Sequence, residues 1–443
     1  MKGKFFLLSG IFKDRIFSNS LWMILEKVIS IFGLLFVTSY VAKYIGPENF
    51  GKLSFVTSLF IIVQALAALG TEHVLLKRLA RKKNSGIALM NATSLLRHVI
   101  YTLISLAVLI YLYRNTDEVT LVFGVATAVA YYFLAIDTYA IYNNATLNSR
   151  VNTFCNLIGL SLGLILRYII AYNEINFLYL GLPIVIVTLV PYFIKKIYFI
   201  RSNRANRSIT FKNKLRYNYY LTRTGIPLAL STVSAIFYTR ITLFLVMYFC
   251  GAASLGLFSV ASQLASSWMF VTSALITSYY SKVYSLNIQK STSSHTYTDA
   301  KDMVSKLNGI IMITASVIII LIILSGKYVI NVLYGSAYDS AYYIMVVLCL
   351  NSFFSCMGPV ASKYIILYSG YSYLTLKTFF TFLTSIPIAW YLTQHYGVMG
   401  AAVSTVIVEI LSLTIYNYLF KNGLVFKMHL STLNINKYIS GNN

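Results

Sequence analysis

Glu26, Lys27, Arg97, Asp137, Arg167, Arg240 and Glu409 are charged residues inside long apolar runs. An ionisable group at membrane depth is costly, so it faces a polar interior, pairs with another charge or holds something. The four cations (Lys27, Arg97, Arg167, Arg240) call for an anion. Phosphate and diphosphate groups suit both the guanidinium fork and the compact ammonium. The three carboxyls suit a different task. A carboxyl in a low-dielectric place keeps its proton more readily, and so can carry one or pair with a cation. Glu26, Asp137 and Glu409 are therefore the candidates for coupling to a proton or a sodium ion.

Helical spacing tells what each one faces. Asn19, Glu26, Lys27, Ser30, Gly33 and Thr38 share one face of an otherwise apolar run. Glu26 and Lys27 are adjacent, diverge by about 100° and so pair poorly; a lined cavity is the stronger reading. Asn152, Asn156, Gly159, Gly163 and Arg167 recur at near-i+4 spacing. Gly159-x-x-x-Gly163 serves helix packing as well as it serves a pathway, and Arg167 could snorkel outward. Arg97 and His98 join Asn91, Ser94, Thr102 and Ser105, with Arg97 about three turns from the inner end. Ser231, Ser234, Tyr238 and Thr242 form a stripe, and Arg240 points to its opposite side. Glu409 shares a face with Ala402, Thr405, Ser412 and Tyr416, and Asp137 lies near the inner end of its run. A local salt bridge is the competing reading for each acid.

The elements that must position these residues are membrane spans. The chain has 443 residues, 58% hydrophobic and 11% charged, against roughly 25% charged in a soluble domain. A span needs about 20 apolar residues. Twelve runs qualify, at 20–42, 52–70, 88–113, 119–140, 151–172, 177–199, 224–249, 255–281, 305–325, 340–367, 373–393 and 398–420. The expected fold is an all-α integral membrane protein of twelve transmembrane helices in two six-helix lobes. The net charge is +24. With both termini in the cytoplasm, 28 of the 36 Lys and Arg fall in or beside inner loops and four in outer ones. The charge is thus a topology signal, and at this hydrophobicity nucleic-acid binding is excluded.

The longest basic loop divides the chain. Residues 1–200 form an N-lobe, 201–223 a basic cytoplasmic linker, 224–420 a C-lobe and 421–443 a cytoplasmic tail. The first turn of each lobe repeats: YIGPENFGKLSFVTSL at Tyr44–Leu59 returns as FCGAASLGLFSVASQL at Phe249–Leu264. Gly46, Pro47 and Gly51 mark one hinge; Gly251 and Gly256 mark its partner. Six spans per half make this a parallel repeat. The four cysteines lie in or beside apolar runs without CxxC spacing and read as small buried hydrophobes. There is no HExxH and no GxxxxGK[ST]. No metal site, no cofactor beyond a coupling ion and no enzyme chemistry is expected, and the outer loops are short.

YIGPENFG, GAASLGLFSVASQL, LYGSAYDSAYYIM (Leu333–Met345) and YGVMGAAVSTVIVE (Tyr396–Glu409), in that order among twelve spans, resemble the Wzx-type O-antigen flippases of the MOP (multidrug/oligosaccharidyl-lipid/polysaccharide) exporter superfamily. The resemblance covers essentially the whole chain. It implies a MATE-like pseudo-symmetric bundle in the bacterial inner membrane. It also implies translocation of undecaprenyl-diphosphate-linked oligosaccharide units from the cytoplasmic to the periplasmic leaflet, for O-antigen or capsule. Two lobes would alternate access to a cationic central cavity. A polymerase and a chain-length regulator of the same pathway are the implied partners. The chain departs from its relatives at YTRITLF, which has no acid just after Arg240. It lacks the two further spans and arginine-rich first helix of lipid II flippases. An ion-coupled drug exporter of the same superfamily is the alternative, and a membrane-bound enzyme of polysaccharide assembly a third reading that the short outer loops disfavour.

Overall fold

The computed structural model describes residues 15–203, 211–289 and 296–433, with side chains described from Gly33 onward except at 34, 211–213, 281, 282 and 284–300. Apolar runs too long for any soluble core drive every element, because in lipid only a helix satisfies its own backbone. In the first unit, α1 (Arg15–Ala68), α5 (Glu118–Ile136), α7 (Ser149–Tyr172) and α8 (Gly181–Ser202) pack as the central group, with α1 against α5 and α7, and α7 against α8. The short helices α2 (Thr71–Arg81), α3 (Lys83–Ala92) and α6 (Thr138–Ala145) and the longer α4 (Ser94–Asn115) complete it. Beyond it run α9 (Phe211–Ser266), α10 (Met269–Gln289), α11 (Thr296–Tyr334), α12 (Ala341–Ser355), α13 (Gly358–Leu367), α14 (Tyr371–Leu413), α15 (Ile415–Tyr418) and α16 (Leu424–Thr432). In the second unit α12 packs on α14, and α11 on α10, α12 and α16.

Among the described residues nine stretches are long and apolar enough to cross a membrane. Three of them, Leu35–Ala68, Lys214–Tyr280 and Tyr371–Tyr418, each carry one non-helical glycine: Gly46, Gly251 and Gly397. Divided there, the nine become the twelve expected crossings of a multi-pass membrane protein. Gly46 (φ 76°, ψ 169°) and Gly251 (φ 82°, ψ 176°) adopt nearly the same conformation. A side chain at either would meet nothing within 4 Å, so it is the positive φ, closed to most L-residues, that requires glycine. Pro47 follows Gly46 at the start of the next helix, where its missing N–H costs nothing. Gly51 and Gly256 are buried one turn further on, within the helices.

The chain forms two compact units, Met1–Ile236 and Phe237–Asn443. Their boundary falls inside α9, beyond the linker that the basic loop suggests. The reason is local packing. Gly225 lies so close to the α1–α2 turn that a Cβ there would sit 2.1 Å from the Leu69 carbonyl oxygen. A Cβ on Gly70, in turn, would sit 2.6 Å from the Gly225 carbonyl oxygen. Leu221 enters the buried cluster of Val74, Leu75, Leu79, Ile87, Leu89, Met90, Tyr142 and Phe199. The Arg78 guanidinium lies 5.2 and 4.8 Å from the ring centres of Tyr217 and Tyr220 and donates to Ser85 Oγ at 2.9 Å.

Candidate functional site

Three crossings of the first unit converge on one polar cluster. The fourth crossing breaks at Asp137, between α5 and α6. Its carboxylate accepts the Ala140 N–H at 3.1 Å and so caps α6. The same carboxylate closes an ion pair with Lys195 of α8, and Lys195 Nζ also donates to Asn156 Oδ1 of α7 at 3.2 Å. The lysine is 4% exposed. A turn below, Asn152 donates to Ala140 O and Asn144 Oδ1, and accepts from Asn143, all at 2.8–2.9 Å. Asp137, expected as a candidate for ion coupling, is thus held by an internal cation. Lys195 lies near the inner end of the run 177–199. The helix runs on through Ile197–Ser202, and the apolar residues after Lys196 are the signal that places Lys195 inside.

Gly159 and Gly163 serve packing. A Cβ on Gly159 would meet the Pro191 ring at 2.5 Å, and one on Gly163 would meet Val187 Cγ2 at 2.2 Å. Arg167, two turns above on the same helix, is half-buried and has no acidic partner among the described residues. Arg97 is turned inward at the α3–α4 junction. It donates to Thr93 Oγ1 at 2.7 Å and to Met90 O at 3.2 Å, while its buried Nε has no hydrogen-bond partner. In this conformation its donors brace the junction. His98, beside it, shares a 2.9 Å hydrogen bond with Tyr132. Glu26 and Lys27 lie on α1, outside the described side chains.

In the second unit Glu409 is the hub. Lys377 of α14, Tyr238 of α9 and Ser355, the last residue of α12, are its polar neighbours. Its Oε1 lies 3.7 Å from where a Cβ on Gly358 would stand. Arg240 is half-buried on α9. The structure therefore brings Asp137 to Lys195 in the first unit and places Lys377 near Glu409 in the second. Lys377, near the start of the run 373–393, lies within α14. Among the described residues no cluster of His, Cys, Asp and Glu could hold a metal, and Cys155, Cys250, Cys349 and Cys356 are free.

Beyond the last crossing, α16 carries His429. Burial pushes its imidazole down to about 4, and Lys377 adds to the effect. Its Nδ1 shares a 3.1 Å hydrogen bond with Tyr418, and its Nε2 is buried without a partner. The neutral ring is thus the folded form. The unfolded chain binds the extra proton between the ordinary histidine range and pH 4, so stability is full above about 6.5 and falls as pH drops toward 4. Between about pH 7 and 5 the loss is about 2 kcal/mol. Thermal unfolding of the detergent-solubilised protein at the two pH values checks this, and His429→Gln is expected to remove that part of the difference.

The sequence profile of the family described as "Polysaccharide biosynthesis protein" matches residues 40–343. The chain is 21% identical over 416 residues, 91% of its own length and 98% of the relative's, to the capsular polysaccharide biosynthesis protein CapF of Staphylococcus aureus. Its fold is that of MOP-superfamily structures. The lipid II flippase MurJ in an inward closed conformation superposes with a TM-score of 0.64 at 15% identity, over 95% of this chain and 91% of that one. An inward-facing multidrug resistance MATE family transporter of the MOP superfamily gives 0.61 at 12% identity, over 91% and 98%. An outward-facing one gives 0.59 at 13%, over 96% and 98%. The family match takes in both glycine hinges, the Asp137–Lys195 cluster and Arg240; on that match, the chain belongs to the polysaccharide biosynthesis protein family.

Proposed function

We propose that this protein is a flippase for a lipid-linked oligosaccharide, carrying undecaprenyl-diphosphate-linked units from the cytoplasmic to the periplasmic leaflet of a bacterial inner membrane for O-antigen or capsule assembly. The observation that carries the reading is the family match over residues 40–343 of a multi-pass helical chain. The fold likeness to a lipid II flippase supports it. Lys27 and Arg167 of the first unit and Arg240 of the second are each candidate contacts for the diphosphate, because a membrane-embedded cation calls for an anion. Arg97 holds the junction that shapes the first unit. Both termini are cytoplasmic on the charge asymmetry, and transport proceeds by alternating access without a metal or organic cofactor. A polymerase and a chain-length regulator would act on the delivered units. The likeness to multidrug MATE transporters favours one second reading, an ion-coupled exporter of small molecules.

Deletion of the gene in its host tests the choice. The expected result is loss of surface polysaccharide, with intact lipid-linked units in spheroplasts that an external glycan-modifying enzyme cannot reach. Normal polymer, or units still reachable from outside, rejects translocation as the step and turns attention to drug sensitivity.

A further inference from the structure

At the end of the first unit where the charge asymmetry puts the cytoplasm, α2 and the start of α9 gather cations around one fixed arginine. The Arg78 guanidinium lies 5.2 and 4.8 Å from the ring centres of Tyr217 and Tyr220, and its Nε donates to Ser85 Oγ at 2.9 Å. Two rings and a hydroxyl thus fix its place, and the Nε bond leaves the terminal nitrogens to donate elsewhere. Arg81 and Lys82 follow Arg78 at i+3 and i+4, on the same side of α2, and both are exposed. Arg216 and Arg223 stand at i−4 and i+3 from Tyr220 on α9, and they too are exposed. Among the described residues none of these cations has a carboxylate oxygen within 4.0 Å. Like charges gathered in one place repel one another until an anion comes among them.

The helix from Pro47 to Ala68 spans about 33 Å, a little over a hydrocarbon core of about 30 Å. The turn at Leu69 and Gly70 therefore stands at the level of the lipid headgroups. Gly225 packs against that turn, which sets Arg223 and Tyr220, just before it on α9, in the same layer. Leu215, Tyr219, Ile226 and Leu230 are all exposed, and they fall within about 60° of arc on α9. Ile226 and Leu230 belong to the seventh crossing, so this is its lipid-facing lane. Tyr219 and Leu215 carry the lane on into a segment that charge alone would leave in water. Arg216 and Arg223 flank it. An apolar lane edged with arginines is the composition of a helix lying at a membrane surface. A soluble anion has use for the cations only, whereas a lipid has use for both. We propose that α2 and the start of α9 bind the headgroup phosphate of an anionic phospholipid of the inner leaflet. Arg78 is the fixed contact, since a guanidinium fork stacked on a ring suits phosphate oxygens. Arg81, Lys82, Arg216 and Arg223 supply the surrounding field, and the acyl chains lie along the lane. The site goes beyond the flippase reading and does not rest on it.

The test uses the full chain in a neutral detergent, with scintillation proximity reading the bound probe. The probes are radiolabelled phosphatidylglycerol, phosphatidylcholine with the same acyl chains, and glycerol phosphate. Phosphatidylglycerol is expected to bind about tenfold tighter than phosphatidylcholine, and added salt is expected to narrow the gap. Arg78→Gln is expected to weaken phosphatidylglycerol about fivefold and to leave phosphatidylcholine unchanged. The double variant Arg81→Gln with Arg223→Gln is expected to weaken it about twentyfold. Both residues of that pair are exposed, so the double variant decides alone if Arg78→Gln does not fold. Equal binding of the two lipids overturns the site, as does wild-type affinity for phosphatidylglycerol in a folded Arg78→Gln or in the double variant. Glycerol phosphate bound as tightly as phosphatidylglycerol overturns the lipid and makes the occupant a soluble phosphate compound.

Discussion

Lys195→Ala is expected to cost about 3–5 kcal/mol of stability, the scale for breaking a buried ion pair from one side. The substitution removes the ammonium and leaves the Asp137 carboxylate, its side chain 9% exposed, with the Ala140 N–H as its remaining named partner. Asn156 Oδ1 loses the Lys195 ammonium as well. The cost lies in the stranded charge, since a buried pair as a whole contributes little against apolar isosteres. The double variant Asp137→Asn with Lys195→Met is therefore expected to recover most of the loss. Asparagine still caps α6, and methionine refills the space of the lysine stem. Thermal unfolding and the yield of monodisperse protein in detergent measure both. A Lys195→Ala protein as stable as wild type would mean that water or another cation reaches Asp137, and would remove the cluster from the structural core.

Gly225→Ala comes second. One methyl group at this position lands 2.1 Å from a backbone oxygen, Leu69 O, which no side-chain rotation can relieve. Overpacking of this kind costs about 1–3 kcal/mol. Here it also levers the start of α9 away from α2. Tyr217 and Tyr220 would leave Arg78, and Leu221 would leave its cluster. Faster trypsin cleavage after Arg216 and Arg223 is the expected signature, together with a lowered unfolding midpoint; Gly225→Val is expected to exaggerate both. Unchanged cleavage with an unchanged midpoint would show that the turn at Leu69 and Gly70 gives way freely.

The two hinges were open to reading in the sequence because glycine leaves a mark that no other residue supplies. Gly46 and Gly251 recur in matched surroundings, and the structure gives them matched backbone angles. The crossings were readable for a similar reason: apolar length is a property of the chain alone. The lysines were not. Lys195 and Lys377 sit near the ends of the runs 177–199 and 373–393, where position along the chain does not tell a loop cation from an interior one, and only neighbours on other crossings do. Asn156 carried half of that signal, since an amide at membrane depth needs a partner, but its partner is supplied by α8. The boundary between units follows packing and not charge. A basic loop marks where the chain leaves the membrane, whereas the unit ends where packing changes, at Ile236.

That boundary bears on how the protein is made. The first unit borrows its final piece, Phe211–Ile236, from a helix whose remainder belongs to the second. A nascent chain with six spans inserted still lacks Leu221, and the hollow among Val74, Leu79 and Phe199 stays open to lipid or water. The first half therefore matures only after the ribosome has passed the linker and begun the seventh span. Synthesis thus runs past the linker and into the seventh span before the first unit is complete.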